Sequence, residues 1–368
     1  MTTNSKTTGT ADEPNLSDSS FPKADFAAER DATKNRGRWG VARTLVAHAG
    51  LVGLTLCAIA RFAPLDDVRA AMFLTYPPRL ILGALGVCLS LSFLLRRKRL
   101  RAGFATVVAV ALFSQLSWGG GVQPPPTDHL VVLAFNAHDA TERVGELAEL
   151  CETYQIDVLL LQEVKEDSRA AFIEGLPDYE FVWGDEKEKV EYSAYRPISS
   201  ITGFRRSRLT SKPEVKTGIT GYRTFAAEAA LGGEPIWFVN VHTTKSFWLQ
   251  GGVSETFSKT ADKAARHAKE RDSLEAWIEA NASDQPVLVG GDFNAPAGTY
   301  NLRFPKLTSA HRAAGSGAHL TFPRSFPVWG IDHVLGSENI EFFAYQAVDA
   351  GFSDHYAQLA WFRLRQDY

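Results

Sequence analysis

Cysteine is scarce, with three residues in 368. Cys57, Cys88 and Cys151 cannot build a disulfide framework, and cysteine usage leaves the compartment open. Acids and bases are missing from three apolar runs, residues 44–60, 80–95 and 102–118. Each run is at or just under the roughly 18 to 20 residues that span a bilayer. Charges crowd their ends and avoid their interiors, so the expectation is three transmembrane helices rather than buried helices of a soluble domain. The first 35 residues have few large apolar side chains and no apolar period, a composition too polar for a signal peptide and one that predicts a disordered tail. No internal repeat is visible. Positive charge is short in the C-terminal part: residues 128–368 carry 24 Lys/Arg against 34 Asp/Glu, a net −10, whereas residues 1–127 carry 15 against 8, a net +7. A body of that sign, without a basic stripe among aromatics, disfavours a grip on long nucleic acid.

The basic residues that are present suggest an orientation. Lys34, Arg36, Arg38 and Arg43 precede the first run, Arg96, Arg97, Lys98, Arg99 and Arg101 fill the link between the second and third, and the first link is mixed. The positive-inside rule puts the N-terminus and the 96–101 link in the cytoplasm and everything after Trp118 outside. The domain plan is therefore a tail over 1–35, a membrane domain over 36–118, a Gly/Pro linker over 119–127 and a body over 128–368. The expected location is a bacterial-type plasma membrane, multi-pass, with the body extracytoplasmic.

The body alternates strands with a few helices. Apolar strands are expected over 130–135 and 158–161, strands over 180–183 and 191–195 around a charged hairpin at 185–189, paired strands over 224–231 and 235–241 across Gly232-Gly233, and helices over 142–154 and 261–279. That mixture predicts an α/β (α+β) domain of two packed sheets with helices outside. The most informative stretch is Val287-Leu288-Val289-Gly290-Gly291-Asp292-Phe293-Asn294, a buried strand that delivers Asp292 and Asn294 to its C-terminal end. Alternate residues point the same way, and the glycines permit close approaches that a side chain would block.

Other strand ends carry chemistry of the same kind. The collected set is Asn136, Glu163, His242, Asp292, Asn294, Asp332, Asp354 and His355. Carboxylates and amides without cysteine suit a hard divalent ion such as Mg²⁺ or Mn²⁺. Histidines beside acids favour a fixed tautomer and a protonated ring. Metal, carboxylate and imidazolium around one point make a site for attack on a phosphoester. Arg223, at a strand entry, is a candidate substrate contact. His333 is expected on the opposite face from Asp332, and His129, His138, His267, His311 and His319 are expected as surface or core residues. Lys245, Lys263, Arg266 and Arg271 read as a solvated helix face. Trp248, Phe247 and Phe257 could meet a bilayer or pack in the core.

Asn136, Leu161-Gln162-Glu163, Asn240-Val241-His242, Gly291-Asp292-Phe293-Asn294, Ile331-Asp332-His333 and Ser353-Asp354-His355 stand in an order that resembles the endonuclease/exonuclease/phosphatase superfamily, across roughly residues 128–365. The resemblance implies a four-layer α/β/β/α sandwich with the site at one edge. It implies Glu163 as the main metal ligand with Asn136 close by and Asp354 serving the metal site. It further implies Asp292 on the attacking water, Asn294 and His242 on the phosphate, and His355 on the phosphate under the control of Asp332. The layout of three spans and an external body is similar to membrane-anchored bacterial members linked to teicoplanin resistance, which act on undecaprenyl-linked pyrophosphate. The expected function is a metal-dependent phosphoesterase on a lipid-linked or small phosphorylated substrate, with the bilayer as partner and no protein partner evident. An extracytoplasmic nuclease and an inactive binding or scaffolding domain stay open as alternatives.

Overall fold

In the computed structural model, the described residues are 23–60, 72–116, 118–119, 127–138, 140–184, 198–216, 219, 223–245, 253–281 and 285–365. The chain divides into Met1–Val52 and Gly53–Tyr368. The first unit contributes the start of helix α1, Lys23–Ala60, which begins inside the stretch expected as a tail. One helical stretch, Trp39–Ala60, is long and apolar enough to cross a membrane. The second and third apolar runs are also helical but shorter: after α2 (Met72–Thr75) come α3 (Arg79–Leu95) and α4 (Arg99–Phe113). These two pack as a hairpin. Gly86 lets them close, since a Cβ there would stand 2.9 Å from the Cβ of Ala109, and Ser90 and Thr106 share a 2.7 Å hydrogen bond across the seam.

Among its described residues the body holds twelve strands: β1 Leu130–Asn136, β2 Val158–Lys165, β3 Tyr179–Trp183, β4 Ile198–Arg205, β5 Glu214–Lys216, β6 Phe225–Leu231, β7 Glu234–His242, β8 Val287–Asp292, β9 Thr308–Ser309, β10 Asp332–Gly336, β11 Ile340–Val348 and β12 Ala357–Leu364. Its helices are α5 Val144–Thr153, α6 Arg169–Gly175, α7 Val253–Asn281 and α8 Ala310–Ala314. One sheet runs β11-β12-β1-β2-β4-β3 and the other β5-β6-β7-β8-β10-β9. Each has a parallel pair at its centre, β1 with β2 and β7 with β8, and antiparallel neighbours outside.

Alternation sorts the side chains into layers. Val132, Ala134, Leu160, Phe238 and Leu288 meet between the sheets. Val131, Leu133 and Phe135 face Leu147 and Cys151 of α5 and Phe172 of α6. Val287 and Val289 face Leu274 and Ile278 of α7. This is the helix–sheet–sheet–helix arrangement. A second link between the sheets is polar: buried Gln162 of β2 donates to Asn240 Oδ1 of β7 at 2.8 Å, and Asn240 Nδ2 donates to the Ile201 carbonyl at 2.8 Å. The expected hairpin at 185–189 and strand at 191–195 lie outside the described residues.

Candidate active site

Strand register brings the chemistry together. On the second sheet, His242 pairs with Asp292 across β7–β8 and Asp332 pairs with Asp292 across β10–β8. On the first, Asn136 sits beside Gln162, one residue before Glu163. The sheets close tightly just below this edge, because a Cβ on Gly290 would come within 2.7 Å of Leu160 and 3.1 Å of Ala134. One step further along the same faces, Asn136 Nδ2 reaches Asp292 Oδ2 at 3.0 Å. It also donates to Glu163 Oε1 at 3.2 Å. Asn136 therefore bridges two carboxylates through its amide nitrogen and holds Glu163 in place, while its oxygen accepts from the His138 amide.

Glu163 reaches this point through a defect in β2. The register slips between Leu161 and Val164, and Glu163 has φ +57. Bulges re-aim side chains, and a non-glycine residue in the left-handed region is held there by its surroundings. His138, Arg223 and Asn294 share that backbone region and the same site. Burial works against the charge of Glu163, but His242 when protonated, Lys245 and the Asn136 amide hold its carboxyl down at about 2. His242 Nε2 stands 3.4 Å from Glu163 Oε1. Burial, Arg223 and Lys245 push this histidine down to about 3, so at neutral pH Glu163 is charged and His242 is neutral. The expectation of a cationic imidazole therefore fails for His242, whose burial outweighs its acidic neighbour.

It holds for His355. Nδ1–H donates to both oxygens of Asp332, at 2.9 and 3.0 Å, and Nε2 lies 3.8 Å from Asp292 Oδ2. Burial opposes the charge, but Asp332, Asp292 and Asp354 together raise the imidazole to about 9. Asp292 is fully buried and pushed up to about 6, with burial ahead of the lowering effect of His355. Its Oδ1 accepts from the Asn294 backbone N–H at 2.9 Å, and Asn294 Nδ2 donates to the Thr243 carbonyl. Asp354 is half exposed at the rim, 3.9 Å from His355 Nε2.

Asp292, Asp332 and His355 have ligand atoms close enough to hold an ion. A ring protonated on both nitrogens has no lone pair for a metal, so these three read as a hydrogen-bonded acid–imidazole–acid line. The hard oxygen donors beside it fit a divalent cation better: ionised Glu163, partly open to solvent, next to Asp292, with Asp354 at the rim.

Several neighbours were not expected from sequence. His138, assigned to surface or core, stands with Nδ1 3.5 Å from Glu163 Oε2. Lys245, assigned to a solvated face, acts by charge on Glu163 and His242. Arg271, unlike exposed Lys245, is not solvated: it is buried, paired with Glu275 and stacked over Tyr300. Thr321 Oγ1 donates to Asp332 Oδ2 at 2.6 Å, and Ser353 Oγ ties the His355 loop to the Asn136 carbonyl at 2.7 Å. Thr321 sits in a loop with no periodic signal, and Ser353 stands in the Ser353-Asp354-His355 motif without a role assigned from sequence. His333 does face away, with Nε2 2.9 Å from the Ala295 carbonyl oxygen, and His267, His311 and His319 are buried. Trp248, Phe247 and the side chain of Phe257 lie outside the described residues.

Residues 132–355 match the endonuclease/exonuclease/phosphatase family. Among solved structures, a humanized D. rerio TDP2 is 15% identical with a TM-score of 0.50, covering 64% of this chain and 99% of that one. An endonuclease/exonuclease/phosphatase from Bacteroides vulgatus is 16% identical with a TM-score of 0.49, covering 65% and 100%. One from Bacteroides thetaiotaomicron is 15% identical with a TM-score of 0.48, covering 66% and 100%. The likeness to the first of these is one of fold. Among curated proteins, none matches the sequence.

Proposed function

The chain belongs to the endonuclease/exonuclease/phosphatase family, whose members are metal-dependent phosphoric ester hydrolases, and from that premise we propose a membrane-anchored phosphoesterase acting on a lipid-linked or small phosphorylated substrate outside the cytoplasm. The observation that carries the reading is the line Asp332–His355–Asp292 beside the Glu163–Asn136 pair.

Each group then has a task. Glu163, with Asp354 at the rim, would hold Mg²⁺ or Mn²⁺, and Asn136 fixes the Glu163 carboxylate. The bound ion supplies Lewis-acid polarisation of the phosphoryl oxygens. Cationic His355 meets negative charge as it develops on those oxygens, and Asp332 keeps the ring charged and oriented. Asp292, its carboxyl raised to about 6 and ionised at neutral pH, orients water and accepts its proton. His242, Asn294 and Arg223 border the same space and contact the phosphate.

The anchor rests on composition and exposure. Beyond the span at Trp39–Ala60, α3 has 17 residues, a rise of about 26 Å, close to a bilayer core. The outer faces of α3 and α4 are apolar, with Leu85, Leu91, Phe104, Val107 and Val110 exposed, and the 96–101 link keeps its basic cluster. Three crossings with that link inside leave the body outside. The negative body supports a lipid head group over a nucleic acid.

The test is phosphate release by the full chain in detergent micelles, with Mg²⁺ or with EDTA. Three substrates run side by side: a polyprenyl pyrophosphate, a short-chain phospholipid and supercoiled plasmid. Metal-dependent release from a lipid with intact plasmid supports the proposal. Nicked plasmid with untouched lipid makes the protein a tethered nuclease.

A further inference from the structure

One loop joins the His355 dyad to the helical hairpin. At its start, Thr321 bonds Asp332, and the Phe322 ring lies 4.7 Å from the His355 imidazole. At its end, Trp329 Nε1 donates to the Tyr76 carbonyl at 3.1 Å, just ahead of α3. Asn301 Nδ2 secures the same residue by donating to the Tyr76 hydroxyl at 2.9 Å. Just upstream of the loop, Gly119 donates to the Gly317 carbonyl at 3.1 Å, and Trp118 bridges to Ala318, just past the exit of α4. The entry of α3 and the exit of α4 are the hairpin ends opposite the basic 96–101 link. Both therefore dock on residues 317–329.

Between its two anchors the loop turns outward. The Phe326 amide donates to the Pro323 carbonyl at 3.1 Å, and the Phe326 side chain is 67% exposed. Trp118, at the hairpin exit, is 53% exposed. Exposed aromatics at the end of an apolar hairpin form the pattern of an interfacial belt, where rings sit at head-group depth. In water, an exposed phenylalanine forgoes the free energy of burying its ring.

We propose that residues 323–329 form the membrane-facing wall of the active site. Phe326 and Trp118 sit in the bilayer interface, and the phosphate of a bilayer-embedded substrate reaches His355 past Phe322 without leaving the surface. The partner is a lipid bilayer. The substrate half of this inference rests on the hydrolase reading above; the bilayer contact does not.

The experiment uses the full chain in vesicles of phosphatidylcholine and phosphatidylglycerol. A nitroxide is placed at Phe326→Cys, with Ile173→Cys on α6 as the water-exposed control, both in a Cys88→Ser background because Cys57 and Cys151 are buried. The wall requires position 326 to collide more with oxygen than with a water-soluble nickel complex, and position 173 to show the reverse. Equal nickel access at both positions overturns it. In parallel, Phe326→Ser is compared with wild type on a polyprenyl pyrophosphate in the vesicles and on p-nitrophenyl phosphate in solution. The expected change is a rise of about ten-fold in KM for the vesicle substrate alone, the scale of a partly buried ring lost from the interface. Equal losses on both substrates also overturn the wall. If wild type hydrolyses neither compound, the hydrolase reading fails, and the nitroxide depth still decides the contact.

Discussion

Asp332→Asn removes the negative charge facing His355 while keeping the size and shape of the side chain. Burial alone would discharge the imidazole, so its position near 9, against an ordinary 6.5, is owed to Asp332 first, then Asp292 and Asp354. At about 1.4 kcal/mol per pKa unit, the whole gap favours the charged ring by about 3 kcal/mol. The sign follows from linkage. A histidine raised on folding contributes stability that is complete below about 6.5 and is lost as pH rises through about 9. Catalysis that needs the imidazolium keeps to the same window, so wild-type activity falls on the alkaline side near 9. With Asp332→Asn that alkaline limb moves down by more than about one pH unit, and at pH about 9 kcat drops at least about five-fold as the charged fraction falls from about half to under about a tenth. The assay is a pair of pH–rate profiles, with NMR titration of labelled histidine assigning the limb to His355. An alkaline limb that stays in place while kcat falls would refute the reasoning, because Asp332 would then support the fold without holding the charge.

The acid limb belongs to Asp292: its carboxyl is raised to about 6, and activity that needs the anion falls as pH drops through that value, a limb that Asp292→Asn should abolish along with most turnover. Gln162→Leu strands Asn240 Oδ1 between the sheets and should cost about 1–3 kcal/mol in chemical denaturation, with Asn240→Leu similar and the double variant less than additive. Gly291→Ala puts a Cβ 2.0 Å from the Val241 carbonyl oxygen at a φ of +141, and should lose more than about 3 kcal/mol by thermal unfolding.

The four central strands were legible because each is buried on both faces and reads as an unbroken apolar run ending in a polar residue. Their register then brought His242, Asp292, Asp332, Asn136 and Glu163 together as their order suggested. Strands β11 and β12 were harder to read. Their runs are interrupted by Gln346, Gln358 and Arg363, and buried Gln358 is accommodated because the Tyr345 hydroxyl donates to its Oε1 and its Nε2 donates to the Tyr356 carbonyl. The polar shell around the site was also hidden. His138 and Lys245 approach Glu163 from irregular segments, and Thr321 reaches Asp332 from a loop. Periodicity carries no information about such approaches. The burial that keeps His242 neutral is likewise absent from its motif, Asn240-Val241-His242.

The measurement closest to the central claim is turnover of the full chain, wild type and Glu163→Ala, on a soluble phosphoester with Mg²⁺ and after chelation. The account predicts activity that EDTA removes and Mg²⁺ restores, and a Glu163→Ala protein that folds normally but is slower by at least about a thousand-fold. Turnover in Glu163→Ala equal to wild type, or activity indifferent to EDTA, would contradict it.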